Sequence, residues 1–167
     1  MRNIKLITNC ERPPNYLMDI SVKHWLNNGF NPEDLIFLVN NISKFDMVKS
    51  LKESYNINAK RVHSLDDIYD ANSCVVWDDL EEYDYGLYHD REHEIINKVQ
   101  HKLLDSGVDV VIFLDRDELL WHDSGNLRNV LNTFTEPVIR PRGIEILQAG
   151  DEKTLDLSKS LAEQRSW

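Results

Sequence analysis

Residues 108–114 read VDVVIFL and are followed at once by Asp115, Arg116, Asp117 and Glu118. Five apolar residues in succession, three of them β-branched, with no polar position between them, predict a strand covered on both faces rather than a half-exposed one. The residues just before it have a different period. From Asp90 the chain carries Ile95, Ile96, Val99, Leu103 and Leu104 at helical spacing and stops at Ser106 and Gly107, a terminus signal that pairs a polar residue with glycine. Helix, tight stop, buried strand, carboxylates: this order predicts a parallel α/β unit whose chemistry sits at the strand's carboxyl end.

The same alternation is written upstream. Residues 3–8 (NIKLIT) predict a short strand; after Pro13 and Pro14, the pattern Ile20, Val22, Trp25, Leu26 predicts a helix ending at Gly29. Residues 35–39 (LIFLV) predict a second buried strand and residues 44–55 a second helix, with a third alternation starting near residues 60–63. Residues 66–88 are acidic and aromatic and carry no clear period. The expectation is an α/β fold with a mostly parallel central sheet flanked by helices, the 108–114 strand central in it, and one domain over residues 1–167. A chain of 167 residues is enough for one such core, since about 150 residues bury roughly 68–70% of the unfolded surface.

Composition narrows the function classes. The net charge is −10, with 19 Lys and Arg against 29 Asp and Glu, which argues against a general nucleic-acid binder, because such proteins neutralise phosphates with basic side chains. The acidity is regional: residues 64–115 hold fourteen acidic and three basic groups, whereas residues 1–63 hold six and nine. No apolar run approaches the ~20 residues of a membrane span, and the first eight residues are too short and polar for a signal peptide. A cytoplasmic location without a membrane span is expected. Cys10 and Cys74 are expected to be reduced thiols.

Asp115 and Asp117, two apart at a strand end, can converge on one hard cation such as Mn²⁺ or Mg²⁺, which prefers oxygen ligands shared with substrate phosphates. A solvated turn or a helix N-terminal cluster is the alternative for the same residues. Carboxylates crowded at a strand end repel one another unless a cation is supplied, which favours the metal.

The stretch from Leu103 to Glu145, LLDSGVDVVIFLDRDELL continuing through a helix to VIRPRGIEI, resembles the core of family-2-like glycosyltransferases with the GT-A nucleotide-sugar-binding fold, a Rossmann-like arrangement. In that family an apolar strand ends in D-x-D, often followed by Glu and a hydrophobic residue. TNCE (8–11), HWLNNG (24–29), VNNISKFD (39–46) and DLSKSLAEQR (156–165) are similar to further family segments. The resemblance implies that Thr8, Asn9 and Glu11 line a nucleotide pocket and that Asn41 lies near the base. It further implies that Asp115 faces ribose and metal, and that Asp117 ligates the metal bridging to the diphosphate. Arg91 would reach the nucleotide-sugar, and Glu145 is the candidate base for the acceptor hydroxyl. Arg140 and Arg142 either hold phosphate oxygens or balance nearby carboxylates. The implied partners are a nucleoside-diphosphate sugar and a glycan or other hydroxyl acceptor, with no nucleic acid. The chain is shorter than is usual for the family, so a minimal or truncated member is expected.

Two other readings stand beside the transferase: a sugar nucleotidyltransferase, which would carry a Gly-rich loop that TNCERPPN lacks, and a non-catalytic nucleotide- or sugar-binding module. His89, Asp90, Arg91, Glu92 and His93 match H-x-x-E-H, a zinc-protease pattern. With Asp90 as the helix N-cap, His89 would fall outside the helix, and zinc proteolysis is not the expected activity. Residues 77–88 (WDDLEEYDYGLY) are expected to form an acidic loop with aromatics on the core, or a sugar-holding loop. His24, His63 and His101 have no evident partners. His122 is expected to be a surface residue, the alternative being support of the nearby DRDE block, and Trp25 and Trp121 are expected to be core or rim packing residues.

Overall fold

The computed structural model describes residues 2–10, 16–40, 46–61, 75–77, 85–115, 118–120, 122 and 126–135. Five strands form one sheet: β1 (Ile4–Cys10), β2 (Leu35–Asn40), β3 (Lys60–Arg61), β4 (Val75–Trp77) and β5 (Val110–Leu114). Their order is β3-β4-β2-β1-β5, and each neighbouring pair is parallel. Between them run α1 (Tyr16–Asn27), α2 (Met47–Tyr55) and α3 (Tyr85–Asp105), with α4 (Leu127–Leu131) following β5. The expected parallel α/β architecture with flanking helices is therefore present.

Side-chain alternation along the strands sorts the core into two. Ile4 and Leu6 of β1 and Leu35 and Phe37 of β2 pack with Met18, Val22 and Trp25 of α1, Leu51 and Tyr55 of α2, and Leu127 and Leu131 of α4. Ile7, Ile36 and Leu38 face the other way, onto Ile95, Ile96, Val99 and Leu103 of α3. Each fully buried aliphatic side chain contributes about 1.5–3 kcal/mol. Helix propensities differ by less than about 1 kcal/mol per residue among these residue types, so the two cores hold the helices on the sheet.

Helices α1 and α2 lie on one face and α3 on the other. Right-handed crossovers require that arrangement, because β1 to β2 moves one way along the sheet and β4 to β5 moves the other. The direction of winding reverses at β1.

Four expectations need correction. Among the described residues β5 pairs with β1 alone and stands at one edge of the sheet, and the central position belongs to β2; the apolar run of β5 is half-buried through residues 110–113 and fully buried only at Leu114. Helix α3 begins at Tyr85, not Asp90, taking in residues 85–88 of the expected aromatic loop. The acidic 66–88 stretch also supplies β4, which pairs with β2; three residues (VVW) are too short to carry a period of their own. Leu104, counted with the apolar stripe of α3, is 47% exposed. Trp25, 1% exposed, is a core residue as expected.

Among the described residues no helix is long and apolar enough to cross a membrane.

Candidate functional site

In a parallel sheet the point where winding reverses leaves a crevice at the strands' carboxyl ends, since the two flanking connections leave on opposite faces. Here the winding reverses between β1 and β5. Their register pairs Thr8 with Leu114, so Asn9 and Cys10 continue one wall while Asp115 leaves the other. The pairing is anchored at the opposite end by Asp109, whose carboxylate accepts from the Asn3 amide at 2.7 Å and whose own amide donates to the Asn3 carbonyl at 2.8 Å.

Asp115 is exposed and opens a tight turn. The Glu118 amide donates to the Asp115 carbonyl at 2.9 Å, and the Asp115 amide donates to the Glu118 carboxylate at 3.0 Å. The two acids thus share one turn, and the backbone amide of Asp115 offsets part of the negative charge. D-x-x-E is the spacing of a capping box, in which a side chain three residues on reaches back to the first residue's amide. Sequence reasoning counted Glu118 only as one more acid, although that spacing was available to identify it.

The segment that follows the turn is tied to α1. His24 Nε2 lies 2.8 Å from the Leu120 carbonyl, which makes Nε2 the protonated nitrogen of the neutral ring. Burial pushes the His24 pKa below its ordinary 6.5, and the bond to Leu120 raises it part of the way back. The sequence offers no partner spacing for His24. A contact spanning 96 residues leaves no local spacing by which it could have been found.

Thr8, expected to line a nucleotide pocket, is 2% exposed. Its hydroxyl has no hydrogen-bond partner among the described residues, a condition shared by Trp25 Nε1. Asn9 follows it on β1. Arg91 lies on α3, with its side chain outside the described set. Glu11, Asn41, Asp117, Glu145, Arg140, Arg142, Cys74, His63 and Trp121 lie outside the described residues. The structure therefore brings together Thr8, Asn9 and Asp115 of the expected set, and adds Glu118 and His24. The donors present are hard carboxylate oxygens, whose chemistry suits Mg²⁺ or Mn²⁺; among the described residues no group of three or more His, Cys, Asp or Glu is assembled for a metal ion.

A separate open hollow of about 410 Å³ is lined by His122, Asn126, Asn129, Val130, Thr133 and Phe134. It lies along α4 and the residues flanking it, away from the strand ends. His122 belongs to this hollow, and its lining contains no carboxylate.

Against protein-family models, curated proteins and solved structures alike, the chain gives no match.

Proposed function

We propose that this chain is a metal-dependent glycosyltransferase of the GT-A type, moving a sugar from a nucleoside-diphosphate sugar to an acceptor hydroxyl. The supporting observation is the reversal of winding between β1 and β5, with Thr8 and Asn9 near the end of one strand and the Asp115–Glu118 turn at the end of the other. An anionic diphosphate does not settle beside carboxylates unless a cation stands between them. In this reading Asp115 and Asp117 hold Mn²⁺ or Mg²⁺. When bound, the cation neutralises charge developing on the departing nucleoside diphosphate.

The chain's own residues do the rest. Asn9 and Glu11 hold the nucleoside, Asn41 sits near the base, and Arg91 pairs with the donor's anionic part. Glu118 fixes the backbone of Asp115, so that the carboxylate is presented without first ordering a loop. Glu145 accepts the acceptor hydroxyl's proton as its oxygen bonds to the anomeric carbon and the bond from that carbon to the diphosphate oxygen breaks.

The test is a thermal-stability titration with UDP-, GDP- and dTDP-sugars, each with and without Mn²⁺. At a ligand concentration of 100 Kd, binding adds about 2.7 kcal/mol of stability, which a melting curve resolves. Stabilisation by one donor that needs Mn²⁺ and disappears in Asp117→Ala is the expected result, with the nucleoside diphosphate released on incubation. If no donor shifts the melting temperature under either condition, the reading fails.

A further inference from the structure

We infer that His24 is a positioning residue for the Asp115–Glu118 turn: by holding the exit of that turn on α1, it lets the Asp115 carboxylate meet a divalent cation without a loop having to be ordered first. This rests on the transferase reading of the turn and goes beyond it, because it places a determinant of cation affinity on a helix that supplies none of the proposed ligands. The segment after β5 is fixed at two points. It leaves the sheet at Leu114, which pairs with Thr8 of β1. Further on, the Leu120 carbonyl accepts from His24 Nε2 at 2.8 Å, and the Leu120 side chain is partly buried against the core that α1 shares with β1 and β2. Between these two points the Glu118 amide donates to the Asp115 carbonyl at 2.9 Å and the Asp115 amide to the Glu118 carboxylate at 3.0 Å. Only Leu119 separates Glu118 from Leu120. A residue spans at most about 3.6 Å of chain, so the Glu118 backbone stands within about 7 Å of the tied residue.

The α1 end of the tie is firm. Ser21, Val22 and Trp25, on either side of His24 in the chain, are all buried, and the His24 carbonyl accepts from the Asn28 side-chain amide at 2.9 Å. The turn itself has no such packing. Asp115 and Glu118 are both exposed, so apolar contact does not fix them and their order depends on hydrogen bonds. Releasing Leu120 from His24 removes one of the two fixed ends. The turn then opens more often, and a ligand that needs the Asp115 carboxylate in one place must first restore it, which subtracts from affinity. His24 acts through Leu120 and the turn, and touches neither cation nor donor.

The experiment compares the full chain with His24→Phe, which keeps a ring but no donor, and His24→Gln, which restores an N–H donor; His24→Ala, which keeps the helix, takes the place of His24→Phe if that variant does not fold. Amide exchange followed by NMR on the ligand-free protein reads the turn directly. In His24→Phe the Asp115 and Glu118 amides should exchange about five- to tenfold faster, the effect of losing one net hydrogen bond on a local opening. Mn²⁺ binding, followed by the EPR signal of the free ion with UDP, GDP and dTDP in turn, should weaken by a similar factor of about five to ten. His24→Gln should return most of both. Ile57→Val trims the buried core shortly before β3, at the opposite edge of the sheet from β5; it lowers stability without touching the tie and should leave both readouts as in the parent. Turn amides that exchange alike in parent and His24→Phe would overturn the inference, as would an Mn²⁺ affinity that His24→Phe leaves unchanged or that Ile57→Val lowers equally. A parent that binds no Mn²⁺ with any of the nucleotides refutes the transferase reading, and this inference with it, an outcome told apart because it appears before any variant is made.

Discussion

His24 is a half-buried imidazole whose one strong partner is a carbonyl, Leu120 O at 2.8 Å. Burial is the larger influence on it, and it sets the folded pKa below 6.5. The unfolded chain therefore takes up the proton at higher pH than the folded chain does, so this group's contribution to stability is complete above about 6.5 and declines as pH falls toward the folded pKa. The melting temperature should drop on acidification from pH 7.5 through 6. His24→Gln, which keeps a donor but not the titration, should flatten that slope; equal slopes would refute the assignment. Thr8 offers a second measurement at this scale. The Thr8 hydroxyl has no partner among the described residues, and a buried hydroxyl left so costs about 1–3 kcal/mol, so Thr8→Val should raise stability by about 1 kcal/mol in urea unfolding. If Thr8 also touches the donor nucleoside, the same variant binds the donor more weakly while being more stable, a combination that pure packing does not produce.

At the scale of elements, the helix ends carry much of the local instruction. Helix α1 ends with Gly29 at φ 90°, the Gly29 amide donating to the Leu26 carbonyl at 3.2 Å and the Phe30 amide to the Trp25 carbonyl at 3.2 Å. Helix α3 repeats the arrangement at Gly107, φ 93°, with Gly107 to Leu104 at 3.1 Å and Val108 to Leu103 at 3.1 Å. Both are Schellman terminations, in which a left-handed residue lets the next hydrophobic side chain turn back into the core. Phe30 and Val108 are that residue in each case, 3% and 7% exposed. The two glycines differ in surroundings. A Cβ at Gly29 would lie 2.5 Å from the Asn126 side chain, whereas one at Gly107 meets nothing within 4 Å. Gly107→Ala should therefore cost about 1 kcal/mol of backbone strain, and Gly29→Ala measurably more, because Asn126 must also leave its place as the cap that accepts from the Asn129 amide. Equal losses for the two variants in urea unfolding would mean that Asn126 moves aside freely.

Across the whole molecule, one buried ion pair ties the C-terminal part of the described chain to the first half. Arg128 on α4 pairs with Asp34, which sits in the 3-10 turn Pro32–Asp34 leading into β2 and also accepts from the Asn31 amide at 2.7 Å. The Arg128 amide donates to the Asn28 carbonyl at 3.1 Å, bringing α4 against the end of α1. Removing one member of a buried pair leaves the other charged and unpaired, at a loss of about 3–5 kcal/mol. Arg128→Met should lose stability in that range, and adding Asp34→Asn should recover part of it; a loss under about 1 kcal/mol, typical of exposed pairs, would mean that water reaches Asp34.

How much of this was readable in the chain follows from the range of the interactions. Continuous apolar runs at 35–39 and 110–114, the glycine stops at 29 and 107, and the position of Asp115 after a buried strand are properties of a few neighbouring residues, so a parallel α/β layout with acids at a strand end could be read directly. Strand order could not, because pairing is chosen among non-local partners with similar apolar faces: β2 rather than β5 took the centre, and the short VVW strand entered the sheet beside β2. The start of α3 also escaped, since residues 85–89 lack the apolar period that packing supplies from Ile95 onward. The same holds for the candidate site. Its carboxylates were visible as a local motif, while the bond from His24 to Leu120, just after their turn, joins residues 96 positions apart and exists only once α1 has been laid against the sheet.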